Sequence, residues 1–115
     1  MVNSEEQKLN LIFSALSDPT RRAMLRRLGD GEMSVAALSE PFDISKPAVT
    51  KHVKVLENAG LLRRTVNGRI HHCRIQVSPL KTASEWMRFY ENFWNKKFDA
   101  LDKYLTDTTG KGKNT

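Results

Sequence analysis

Residues 44–77 read ISKPAVTKHVKVLENAGLLRRTVNGRIHHCRIQV, and the hydrophobic period changes partway along. Ser45 has the chemistry of a helix cap, and Pro47 just inside suits the first turn. Val49, Val53 and Leu56 then recur at helical spacing up to Ala59, and Gly60 stands where a left-handed residue ends a helix. Beyond it the period becomes two. Leu61 to Val66 and Ile70 to Val77 flank Asn67-Gly68, a dipeptide that favours a type I′ hairpin turn, so two antiparallel strands are expected. Cys73, Ile75 and Val77 share one strand face, which turns Cys73 inward, and Pro79 is expected to close the second strand.

Upstream, three shorter helices precede this unit. From Glu5 to Leu16 the set Leu9, Ile12, Phe13 and Leu16 follows one helix face, while Leu11 and Ala15 add a second stripe. Asp18 then caps a helix that starts at Pro19, turns Ala23, Met24 and Leu28 inward and stops at Gly29-Asp30-Gly31. Ser34 caps a brief third helix that carries Val35, Ala37 and Leu38 and ends near Pro41. A tight connection through Asp43 leads into the helix after Ser45.

Downstream, Leu80 to Leu105 reads as one long helix holding seven of the nine aromatic residues. Ala83, Met87, Tyr90, Trp94, Leu101 and Leu105 form one stripe. Trp86, Phe89 and Phe93 widen it beyond what one small domain can cover. The expected organisation is a single domain over residues 1–105, with dimerisation helices at about 5–16 and 80–105, and a disordered tail at 106–115.

The charge is placed unevenly. Residues 46–74 hold seven basic side chains against the single acid Glu57, whereas the rest of the 115-residue chain is balanced, with twelve of each sign. The whole net charge of +6 therefore falls in one quarter of the sequence, which points to a polyanionic partner. One cysteine excludes a disulfide framework and a four-cysteine zinc site. No apolar run reaches the length of a membrane span, and Glu5, Glu6 and Asn10 interrupt any signal peptide, so a cytoplasmic protein without membrane partners is expected. No nucleophile has a recognisable base partner, no carboxylates pair at motif spacing and no glycine-rich loop follows a strand, so no enzyme is expected.

Helix, helix, turn, helix, strand, turn, strand is the layout of a winged helix-turn-helix: mostly α with a small β-hairpin wing, five helices and two main antiparallel strands. The basic block falls on its last helix and hairpin, the parts such a module presents to double-stranded DNA. The motifs Leu16-Ser17-Asp18-Pro19-Thr20-Arg21-Arg22, Ile44 to Leu56, Ala59-Gly60-Leu61-Leu62 and Asn67-Gly68-Arg69, spread over about residues 5–105, together resemble the ArsR family of bacterial repressors. The resemblance implies a homodimer, joined through its first and last helices, that represses its own operon by covering an inverted-repeat operator. It leaves room for a small-molecule inducer. The family's metal-sensing members carry a Cys-x-Cys pair on the third helix, or His and carboxylate ligands on the last one. Here Met33 to Glu40 contains no cysteine and residues 80–105 no histidine, so no metal or other cofactor is expected.

With Val49, Val53 and Leu56 inward, Lys46, Pro47, Thr50, Lys51 and Lys54 face outward near the end of the helix that enters a major groove, with Ser45 at its cap. These are the candidate reading residues. Arg69 at the hairpin tip is suited to a minor groove or a phosphate, with Arg63, Arg64 and His71 as weaker wing candidates, since alternate strand residues point opposite ways and only part of the set can meet one duplex. Arg21 and Arg22 are open between a structural and a phosphate role, and His52 is expected to be packed and hydrogen-bonded. His71 and Cys73 share a strand face but supply only two metal ligands, too few for a structural zinc. Leu9, Leu11, Ile12, Ala83, Met87, Tyr90, Trp94, Leu101 and Leu105 are the candidate dimer surface. A winged-helix adaptor that binds proteins through its last helix is the competing reading, and it leaves the basic block unexplained.

Overall fold

A computed structural model describes Ser4 to Thr109. Its elements are α1 (Ser4–Leu16), α2 (Pro19–Leu28), β1 (Met33–Ser34), α3 (Val35–Ser39), α4 (Lys46–Asn58), β2 (Leu62–Asn67), β3 (Ile70–Ile75) and α5 (Val77–Thr109). The chain divides into two units, one up to Ala83 and one from Ser84 onward.

Each short helix of the first unit begins at a side chain that accepts an otherwise unpaired backbone N–H. Asp18 accepts from Arg21 N at 3.0 Å, Ser34 from Ala37 N at 3.1 Å and Ser45 from Ala48 N at 3.3 Å. Pro19 and Pro47 occupy first-turn positions, where the missing N–H has no helical partner to lose. Gly60, at φ +73°, ends α4 in the left-handed conformation that costs other residues strain, and a Cβ there would sit 3.4 Å from Pro79 Cγ.

The core gathers Ile12 and Ala15 of α1, Met24, Leu25 and Leu28 of α2, Leu38 of α3, and Val49, Val53 and Leu56 of α4. Ala59, Leu61, Leu62, Cys73 and Ala83 complete it. Burial pushes the Cys73 thiol up from its ordinary range, so the group stays protonated and packs as a small hydrophobe.

Three details differ from the sequence reading. The sheet has three strands in the order β1-β3-β2, because Met33 pairs with Cys73 and Ser34 with His72. Two residues are too few for period-two alternation to reveal. In the hairpin, Asn67 pairs with Ile70, so the two loop residues are Gly68 and Arg69. Only Gly68, at φ +66°, has positive φ among them, which is the glycine-first pattern of a type II′ turn; type I′ needs positive φ at both positions. Finally, β3 stops at Ile75 and α5 begins at Val77, with Pro79 inside its first turn, where proline is tolerated.

From Ser84 to Thr109 the second unit is helix only, with an apolar face covering about half the circumference at 100° per residue. Residues 106–109, expected in a disordered tail, instead continue α5 through Thr109, where Thr108 Oγ1 donates to Tyr104 O at 2.8 Å. Adding residues to a formed helix costs far less than nucleating one. Residues 110–115 lie outside the described residues.

Leu56 is fully buried where α4 meets the rest of the core. Leu56→Ala should lower unfolding stability by about 2 to 5 kcal/mol, read as an earlier urea midpoint at unchanged slope. A drop below about 1 kcal/mol would mean that this side chain does not hold α4 in place.

Candidate nucleic-acid interface

The inward turn of Val49, Val53 and Leu56 leaves Ser45, Lys46, Pro47, Thr50, Lys51 and Lys54 exposed on α4. Thr50 borders an open groove of about 460 Å³, lined also by Ser34, Val35 and Ala36 at the start of α3 and by Arg64, Arg69, Ile70 and His71 of the hairpin. One concave surface is thus framed by three elements, and its lining holds Arg64, Arg69 and His71 and no acidic side chain.

Strand register decides which wing residues share that surface. Residues paired directly across an antiparallel ladder lie on the same sheet face. Arg64 pairs with Cys73 and Val66 with His71, so Arg64 and His71 share the face on which Cys73 is buried. Arg63 pairs with Arg74 and Thr65 with His72 on the opposite face. His71 therefore joins Arg69 and Thr50 at the groove, while Arg63 is exposed on the other side of the hairpin. Arg64 is half-buried and donates to Glu57 Oε1 at 3.1 Å, tying β2 to the last turn of α4. Sequence reasoning marks Ser34, Val35 and Ala36 only as a cap and a short helix. Their place at the groove depends on the β1–β3 pairing, for which the sequence offers no signal.

Arg21 and Arg22 are committed to the framework. Arg21 donates from Nε to Ala15 O at 2.8 Å and from Nη2 to Ser14 O at 3.1 Å, and Arg22 donates from Nη1 to Leu16 O at 2.7 Å. Cations so placed satisfy the last carbonyls of α1 and oppose the negative end of its dipole. Arg21 Nη1 also lies 3.1 Å from His52 Nδ1, and Asp18 Oδ2 lies 3.9 Å from the same nitrogen. The backbone N–H of Arg21 is the main cause that holds the Asp18 carboxyl below the usual carboxylate range, and the His52 and Arg21 charges act in the same direction.

The candidate dimer residues divide by burial. Leu11, Met87, Tyr90, Trp94, Leu101 and Leu105 are exposed and Leu9 is half-buried, but Ile12 and Ala83, at 3% and 5% exposure, lie in the core and offer a partner no surface. Ala15, expected on a second outer stripe, is fully buried as well. Among the described residues, no three His, Cys, Asp or Glu side chains gather where they could hold a metal ion, and no helix is long and apolar enough to cross a membrane.

A capped helix behind a helix-turn, a basic outer face and a hairpin beside it define a winged helix-turn-helix DNA-binding domain. Residues 16–65 match the helix-turn-helix domain family. The transcriptional repressor SdpR of Bacillus subtilis is 34% identical over 88 residues, which span 76% of this chain and 94% of that protein. The arsenical resistance operon repressor of Staphylococcus xylosus is 35% identical over 65 residues, 56% of this chain and 62% of that protein. The crystal structure of an ArsR family transcriptional regulator superposes with a TM-score of 0.75 at 38% identity, covering 83% of this chain and 97% of that one. The chain belongs to the ArsR family of winged helix-turn-helix transcriptional regulators.

Because Asp18 caps α2, Asp18→Ala should cost about 1 kcal/mol of stability at neutral pH. A lowered carboxyl pKa stabilises the fold above its unfolded value, and that stabilisation disappears as pH falls through the folded one. The difference between wild type and variant should therefore shrink below about pH 4, and a pH-independent difference in thermal midpoint would argue against the cap.

Proposed function

We propose that this chain represses transcription as a homodimer bound to an inverted-repeat operator, its own promoter included. The observation that carries this reading is the coincidence of the basic block with the exposed face of α4 and the hairpin tip. In this reading Lys46 and Lys51 donate to guanine O6 or N7, and Thr50 meets a base edge or a thymine methyl. Lys54, farther along α4, serves a phosphate, as does Ser45 at the helix start. Arg69 at the tip and His71 at the groove hold the backbone or enter the minor groove, and Arg63 approaches from the other face of the hairpin. Nothing in this scheme calls for catalysis or a metal.

Dimerisation rests on apolar surface. Phe89, Phe98 and Tyr104 on α5 are 71%, 59% and 63% exposed, beside Met87, Tyr90, Trp94 and Leu101. An apolar face of this size is a liability in water unless a partner covers it. Two copies related by a two-fold axis would cover it with the same residues and set two reading helices on inverted half-sites, roughly 10 to 10.5 base pairs apart or a multiple of that. The exposed Leu11 and half-buried Leu9 on α1 would add to the contact.

Footprinting the DNA upstream of the gene should reveal a palindromic site. Thr50→Ala and Lys51→Ala should each weaken that site by about 1 to 3 kcal/mol and blur its discrimination from scrambled duplex. Arg69→Ala should weaken all sequences alike and reduce the salt slope by about one unit for each phosphate that the arginine neutralises. Unchanged discrimination in the first two variants would remove α4 from base reading. Sedimentation at micromolar concentration should give a dimer that Trp94→Asp with Leu101→Asp converts to monomers without tight operator binding. A 13.1 kDa monomer that binds a palindrome tightly would refute the architecture.

A further inference from the structure

His52 lies on the reading helix, yet its ring faces inward, with a side-chain exposure of 20%. Arg21 places Nη1 3.1 Å from His52 Nδ1 while its other nitrogens hold the carbonyls of Ala15 and Ser14. A guanidinium has donors only and keeps its proton. The short contact is therefore a hydrogen bond only if Nδ1 carries a lone pair, which puts the neutral ring's proton on Nε2. One planar cation thus joins the end of α1 to the middle of α4. Base contacts depend on where α4 sits, and this is a polar link that fixes it against a second helix.

We propose that His52 is a positioning residue for base reading, and that protonation of Nδ1 releases α4 from Arg21 and lowers sequence discrimination in acid. The proposal rests on the DNA-binding reading above. A proton on Nδ1 removes the acceptor and sets two cations 3.1 Å apart. The new N–H then has an alternative acceptor, since Asp18 Oδ2 is 3.9 Å away and its carboxyl stays ionised well into acid. The junction thus has two arrangements: Arg21 donating to a neutral ring, or a protonated ring donating to Asp18. α1 contributes the carbonyls that Arg21 holds, β2 brings Arg64, which is engaged by Glu57, and Lys51 beside His52 on α4 is exposed.

Positioning and bulk electrostatics predict opposite responses. Extra positive charge in acid strengthens binding to any duplex, whereas a loosened α4 lowers only the preference for the right one. The probe is a duplex selected by the full chain from a random-sequence pool at about pH 8, compared with a scrambled duplex of the same composition. The ratio of the two affinities should fall about tenfold in wild type between about pH 8 and pH 5.5. In His52→Asn it should stay flat, because the amide oxygen stands near the Nδ1 position, accepts from Arg21 and takes no proton. His52→Leu should be poorly discriminating at both pH values. His71 and His72 are present in all three proteins, so any contribution from them cancels in the comparison. Nitrogen-15 shifts of the His52 ring in the free protein should show Nδ1 unprotonated at about pH 8. Identical pH profiles in wild type and His52→Asn, or a neutral ring protonated at Nδ1, would overturn the proposal. Failure to select any duplex would instead count against the DNA-binding reading, and the ring nitrogen shifts still decide whether Nδ1 is the acceptor.

Discussion

The burial of Val49, Val53 and Leu56 governs the rest of the structure. They sit in one cluster with Met24, Leu28, Leu38, Leu61 and Leu62, and each such side chain contributes about 1.5 to 3 kcal/mol on leaving water. Turning α4 by one residue, about 100°, would expose part of this set and drive Thr50 and Lys54 toward the core. Burying an unpaired ammonium costs more than the whole apolar gain. The outward direction of Lys46, Thr50, Lys51 and Lys54 is thus a consequence of packing, and the reading face needs no contact of its own to be aimed.

Much of this is legible in the sequence because the signals are local. Asp18, Ser34 and Ser45 accept the N–H groups three residues on, as their types and positions require, and the shift from helical to strand period at Gly60 follows from one left-handed residue. What escapes depends on which residues of one strand meet which of another. Met33 and Ser34 form a strand only because β3 is there to pair with, and the hairpin loop falls on Gly68-Arg69 only because Asn67 meets Ile70. Arg21 cannot be assigned from its neighbours, since three of its partners lie six, seven and thirty-one residues away. The candidate dimer set fails at Ile12 and Ala83 for a related reason: helical period identifies an apolar face but cannot say whether the chain's own core or another molecule takes it.

The long helix shows the same ambiguity resolved the other way. Met87, Tyr90, Trp94, Phe98 and Leu101 have the spacing of a core stripe, yet all are exposed. Rings pair along the helix instead, Trp94 stacked with Phe98 at 5.9 Å between centroids and Trp86 tilted against Tyr90 at 4.7 Å, and Lys97 lies 5.3 Å from the Phe93 ring. Such contacts contribute about 0.5 to 1.5 kcal/mol each, too little to offset an apolar face in water. A two-helix seam uses two positions in seven, whereas this face takes up about half the helix, so the proposed dimer calls for contact with more than one partner helix.

The arginines and lysines divide the work by chemistry. Arg21, Arg22, Arg27 and Arg64 turn their planar forks on backbone carbonyls or on Glu57, joining α1, α3 and β2 to neighbouring elements. A guanidinium suits that role because it offers several donors in fixed directions and never loses its charge. On α4 the exposed cations are all lysines, whose single mobile ammonium can follow a phosphate or a base edge as a duplex settles. The net charge of the chain therefore misstates what DNA would feel. Cations already bonded internally contribute a field but few fresh hydrogen bonds, so in the proposed complex the salt dependence would be governed by Lys46, Lys51, Lys54 and Arg69. The same division makes the bond from Arg21 to His52 consequential, because there, as at Arg64 and Glu57, the fixed arginine framework reaches the helix that carries the mobile lysines.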